Sequence, residues 1–149
     1  MREIEFRGKR KDDGEWVYGY YVKLFTESLG WNGPETTDYL IYTGENECIS
    51  SNFERGRTHN EVAFAVDPET VGQYTGETDM DGTKIYEGDV VKCYSGSETI
   101  GVVRYLYASY RIVGVGGYDE PLKKTEDWVV VGGMHDLSLM QSLFSVGVE

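Results

Sequence analysis

Apolar and polar positions alternate along most of this chain, and a period of two predicts strands almost everywhere. Ile4, Phe6 and Gly8 alternate with Glu3, Glu5, Arg7 and Lys9, and after Asp12-Asp13-Gly14 residues 16–22 resume a composition rich in Tyr and Val. Two such runs around an Asp-Gly turn predict a hairpin. Residues 39–42 and 62–66 read as short buried strands. Asp67-Pro68 ends the second, because proline lacks an N–H and biases the residue before it away from helix. Residues 71–75, 84–92 with a bend at Gly88-Asp89, 99–108, 110–116 and 127–131 continue the series. Residues 26–37, with Gly30, Gly33 and Pro34, predict a loop, and residues 50–60, polar apart from Phe53, predict a mobile or ligand-ordered one. Strands about ten residues apart, with 19 glycines for corners, predict a small barrel. Helix is expected only at 136–144, where Leu137, Met140 and Phe144 recur at helical spacing behind Asp136 as N-cap.

Composition changes this picture in one respect. The 149 residues carry 26 acidic and 14 basic side chains, a net charge of −12, and ten of those charges fall in residues 26–87. A phosphate-binding surface needs a Lys/Arg excess, so nucleic acid is a disfavoured partner, most of all for the middle of the chain. An anionic membrane is disfavoured on the same ground. No apolar run approaches the ~18 residues of a membrane helix, and residues 1–10 lack the apolar core of a secretory signal, so a cytoplasmic setting is expected. Cys48 and Cys93 then read as two buried thiols rather than a disulfide.

Candidate chemistry is sparse. Asp79-Met80-Asp81-Gly82 resembles the start of an EF-hand loop, but the glycine falls at position 4 and Val90 stands where the bidentate Glu belongs. The two aspartates read as turn residues whose side chains bond their own backbone. His59 and His135 are isolated in sequence, and neither a Gly-x-Ser-x-Gly elbow nor a phosphate loop is present. Gly114-Val115-Gly116-Gly117 reads as a hairpin corner, and the pairs Asp12/Asp13, Asp119/Glu120 and Glu126/Asp127 as solvated turns. No catalytic residue, metal site or cofactor is expected. One arrangement could stack bases: Tyr105, Tyr107 and Tyr110 beside Arg104 and Arg111, an aromatic and basic strip of the kind small barrels use on single strands. Packing in a core or subunit interface is the competing use of the same residues.

Several segments together resemble a known family. Residues 1–9, 14–19, Val71-Gly72-Gln73-Tyr74-Thr75-Gly76 and Asp79-x-Asp81-Gly82-x-Lys84-Ile85-Tyr86-Glu87-Gly88-Asp89-Val90-Val91 are similar, in order and spacing, to the YopX family of phage and prophage proteins. The closing segment departs from that pattern, since Gly133 stands where the family carries Asn. The resemblance implies an all-β protein with an N-terminal arm (residues 1–70) and an SH3-like barrel (71–149). It further implies carriage on mobile elements of mainly Gram-positive bacteria, action in the host cytoplasm, assembly into homo-oligomers and no enzyme activity. The partner implied is a second copy, or another host or phage protein. Capture of a basic host protein by the acidic middle, as a nucleic-acid mimic, is an alternative expectation. Of the shared residues, Gly72, Gly76, Gly82 and Gly88 suit turns or close backbone approach, Ile85, Tyr86, Val90 and Val91 suit a barrel core, and Gln73, Tyr74, Thr75, Tyr86, Glu87 and Asp89 are the polar members, with Asp89 expected to bond turn amides.

Overall fold

The computed structural model describes residues 1–26, 36–43, 63–95, 98–123, 125–136 and 141. Its strands are β1 (Phe6–Lys9), β2 (Trp16–Thr26), β3 (Thr36–Tyr42), β4 (Ala63–Ala65), β5 (Gly72–Thr78), β6 (Lys84–Tyr86), β7 (Asp89–Cys93), β8 (Ile100–Leu106), β9 (Ser109–Gly114), β10 (Asp119–Pro121) and β11 (Trp128–Gly133). The chain divides by contact into two units, Glu5–Val71 and a second composed of Met1–Ile4 with Gly72–Glu149.

The Glu5–Val71 unit is an antiparallel meander in the order β4-β3-β2-β1. Its first turn is built from side chains. The Asp13 carboxylate accepts from the Glu15 N–H at 2.9 Å, Gly14 N–H closes onto the Arg10 carbonyl, and the Arg10 guanidinium bonds Asp12. That bond holds the Asp12 carboxyl below its usual range. Gly19 sits where β2 passes β3 so closely that a Cβ would lie 1.8 Å from the Tyr42 carbonyl oxygen. After β4, Asp67 caps a single 3-10 turn (Pro68–Thr70) by accepting from Glu69 N–H, and the Thr70 hydroxyl accepts the Lys9 N–H at 2.8 Å, pinning that turn to β1. Ile41 and Val66 are fully buried, and Gly8 packs directly on Val66.

In the second unit β5 and β6 pair with one another, and β7 to β11 form a five-stranded antiparallel sheet in the order β10-β9-β8-β7-β11. Its core is Ile85, Val91, Cys93, Val103, Ile112, Leu122 and Trp128, with Tyr110, Tyr118 and Val130 packed against it. Each large aliphatic side chain buried there stabilises by roughly 1.5–3 kcal/mol. The strands β8 and β9 meet through a two-residue turn, Tyr107-Ala108, both residues at positive φ (52° and 60°) as the favoured hairpin twist requires.

The mainly β expectation agrees with this architecture, and several boundaries shift. The loop expected over 26–37 is shorter, because cross-strand pairing runs out to Thr26↔Thr36 and carries β2 and β3 beyond their aromatic stretches. Asp119 and Glu120, expected as a turn, form strand β10 and pair with Val113 and Ile112. Gly114 to Gly117 is the corner of that β9–β10 hairpin, closed by Gly114 N–H on the Tyr118 carbonyl. The loop expected at 50–60 lies outside the described residues, as does nearly all of the helix expected at 136–144.

Candidate functional site

The shared segment from Gly72 to Asp89 is the most elaborately bonded part of the second unit. Gly72 lies against the backbone of Glu87, where a Cβ would stand 2.2 Å from the carbonyl oxygen, while the Glu87 N–H bonds the Gln73 carbonyl. Tyr74 and Tyr86 are cross-strand partners with ring centroids 5.6 Å apart, and the Lys84 ammonium lies 5.0 Å from the Tyr74 ring. Both tyrosines are buried. The Thr75 hydroxyl donates to the Ile85 carbonyl, which ties β5 to β6 from within. Gly76, Gly82 and Gly88 all have positive φ.

Two carboxylates organise the turns around that hairpin. Asp79 Oδ1 accepts from the N–H groups of Asp81 and Thr83, each at 2.9 Å, and its Oδ2 accepts from Val130 N–H on β11 at 3.0 Å. One side chain therefore closes the β5–β6 turn and occupies a backbone donor of a strand 51 residues away. Asp89, 1 % exposed, accepts the Tyr86 N–H at 2.8 Å across the Glu87-Gly88 turn. Gly88 itself links β8 to the turn after β11, its N–H on the Val103 carbonyl and its carbonyl on Met134 N–H. Of the two aspartates in the Asp79-x-Asp81 pair, Asp79 does this bonding and Asp81 is exposed. The signal for Asp79 is the familiar one of an aspartate whose carboxylate faces the amides two and four residues on.

The aromatic and basic strip does not assemble as expected. The two-residue turn sets the register so that Val103 faces Ile112, Arg104 faces Arg111 and Tyr105 faces Tyr110. Strand side chains alternate between faces, which places Tyr105 and Tyr110 on the core side with Val103 and Ile112, and the two arginines on the opposite side. Tyr105 and Tyr110 contact edge to face at 5.0 Å, and the Arg2 guanidinium lies 5.8 Å from the Tyr110 ring. Burial raises the Tyr110 hydroxyl above its ordinary pKa. Arg111 is held by the Asp119 carboxylate at 2.5 Å, and Tyr107 stands 85 % exposed at the hairpin tip. Sequence proximity grouped these residues, whereas the pleat separates them.

Cys48 and His59 lie outside the described residues. Among the described residues no group of three or more His, Cys, Asp or Glu side chains comes together in a way that could hold a metal ion. Cys93 is a buried free thiol near Ser95, with Sγ 3.6 Å from the Ser95 carbonyl oxygen. No helix among the described residues is long and apolar enough to cross a membrane.

The described chain thus defines an all-β protein of two antiparallel units, one of them packed around a hydrophobic core and laced at its turns by buried carboxylates. The family model described as YopX protein matches residues 5–141, and the chain belongs to the YopX family. Among solved structures it is similar to the crystal structure of protein EF1440 from Enterococcus faecalis, at 15 % identity and a TM-score of 0.51, over 94 % of this chain and 99 % of that one. That likeness is one of fold. No curated protein matches the chain.

Proposed function

We propose that this protein is a non-enzymatic accessory protein of phage or prophage origin that acts in the bacterial cytoplasm through protein contacts and assembles with copies of itself. The observation that carries this reading is the number of large apolar side chains left in solvent on both units. Tyr18, Tyr20 and Tyr42 are exposed in the Glu5–Val71 unit, and Tyr105, Leu106 and Tyr107 crowd the β8–β9 tip of the other. Tyrosine joins a large apolar ring to a polar end at little conformational cost, and it is enriched in interfaces for that reason. An SH3-like closure of the second unit is part of the proposal. It is supported by the five-stranded order β10-β9-β8-β7-β11 and by the Asp79 link from the β5–β6 turn to β11.

Light scattering on the purified chain at tens of micromolar, with affinity capture from a bacterial host expressing it, tests the reading. The expected outcome is a mass at least twice the 16.9 kDa of one chain, or reproducible recovery of a specific protein partner. A strict monomer that captures nothing would sink it.

A further inference from the structure

The face of the Glu5–Val71 sheet that carries its exposed tyrosines has an internal order. Pairing between β1, β2 and β3 places side chains on it in five rows: Lys9 with Trp16, Arg7 with Tyr18, Tyr20 with Tyr42, Val22 with Leu40, and Leu24 with Asp38. Ring contacts agree with that assignment, since Arg7 and Lys9 both lie over Trp16, at 4.3 and 5.3 Å, while Phe6, Tyr21 and Tyr39 pack together on the other face. Arg7 is buried under this end of the face, 8 % exposed, and Lys9 half-buried beside it. The rows therefore run from a cationic end carried by Lys9, through aromatic and aliphatic, to anionic. Tyr20, 64 % exposed, stands at the midpoint. Among the described residues neither Lys9 nor Asp38 forms an ion pair.

We infer that this face is a two-fold self-association surface, with Lys9 of each copy meeting Asp38 of the other; the inference rests on the assembly reading above and names the surface that performs it. A face graded from positive to negative about an apolar centre is complementary to itself once one copy is turned end for end, which is what an isologous interface demands. The axis lies between the two sheets, across the strands and beside Tyr20. It sets the β2 strands antiparallel, inclined by the roughly 30° of aligned sheet packing. Lys9 and Asp38 lie on the strands flanking β2, four residue steps to either side of the Tyr20 row, so the pairing is made twice per dimer. The patch is about three strands wide and eight residue steps long, a footprint on the order of 400 Å² per copy. Twice that area, about 800 Å², falls below the standard size of a specific interface and among weak, transient associations rather than obligate dimers.

Sedimentation equilibrium of the full chain from about 5 to 500 µM tests this, with circular dichroism confirming that each variant is folded. The wild type is expected to dimerise, and Tyr20→Asp to remain monomeric. Lys9→Glu and Asp38→Lys each create two like-charge contacts per dimer and are expected to weaken association about tenfold or more, and the double variant to recover to within about threefold of wild type. Lys23→Glu, on the opposite face, is expected to change nothing. Folded single variants that associate as wild type does, in a chain that still oligomerises, would place assembly elsewhere and overturn this inference alone. Single losses without recovery in the double variant would overturn the two-fold pairing. A wild type that is monomeric at 500 µM would overturn both this inference and the assembly reading.

Discussion

The two units solve the same problem, folding a run of antiparallel strands, with different amounts of interior. Ten of the fully or nearly fully buried apolar side chains among the described residues lie in the β5–β11 unit, and only Ile41 and Val66 lie in the β1–β4 unit. The β5–β11 unit buries tyrosines on its sheet, as at Tyr74 and Tyr86, and shows others at Tyr94 and at the β8–β9 tip, whereas the β1–β4 unit displays Tyr18, Tyr20 and Tyr42 along one sheet face. An antiparallel sheet tolerates one solvated face, but that face is normally polar. On the assembly proposed above, a sheet that spends outward positions on Tyr and Leu offers a face for contact, and the difference between the units would separate residues that maintain the fold from residues that make that contact.

The sharpest way to break that contrast is to truncate one residue of each kind. Ile112→Ala is expected to lower stability by about 3 kcal/mol in urea denaturation, the usual cost of an aliphatic cavity, while Tyr20→Ala is expected to stay within about 0.5 kcal/mol in dilute solution. Equal losses would mean that the exposed tyrosine is part of the fold after all. Carboxylates provide a second comparison of intermediate size. Asp79→Ala deprives three backbone N–H groups of a charged acceptor and is expected to cost about 2–3 kcal/mol, against about 1 kcal/mol for Asp67→Ala, which removes only the cap of one exposed turn. Thermal or urea midpoints of the two variants, read side by side, decide it. The smallest effect is expected at the β8–β9 tip. Ala108→Gly relieves an L-residue from positive φ, offset in part by the greater freedom of glycine in the unfolded chain, and should stabilise by about 0.5 kcal/mol as read from the urea midpoint.

Alternation made most strands legible, together with the turn at Asp12-Asp13-Gly14 and the bend at Gly88-Asp89, because period and turn chemistry are local properties. What was not legible is cross-strand. Tyr107-Ala108 carries no glycine or asparagine to mark a tight turn, so the register that separates Arg104 and Arg111 from Tyr105 and Tyr110 had no signature. Asp119–Pro121 looks like a turn by composition and becomes a strand because the β9 edge supplies its partners. The importance of Asp79 over Asp81 rests on Val130, and no local pattern could bring those two together.

That last link has a kinetic consequence. Closing a contact across 51 residues requires the intervening strands to be largely in place, since the loop entropy must be overcome before the bond contributes anything. The Asp79 carboxylate should therefore engage β11 late, after the rate-limiting barrier to folding. Its loss would then leave the refolding arm of a chevron nearly unchanged and raise the unfolding arm, making Asp79 a latch that governs the lifetime of the folded state rather than the speed of reaching it.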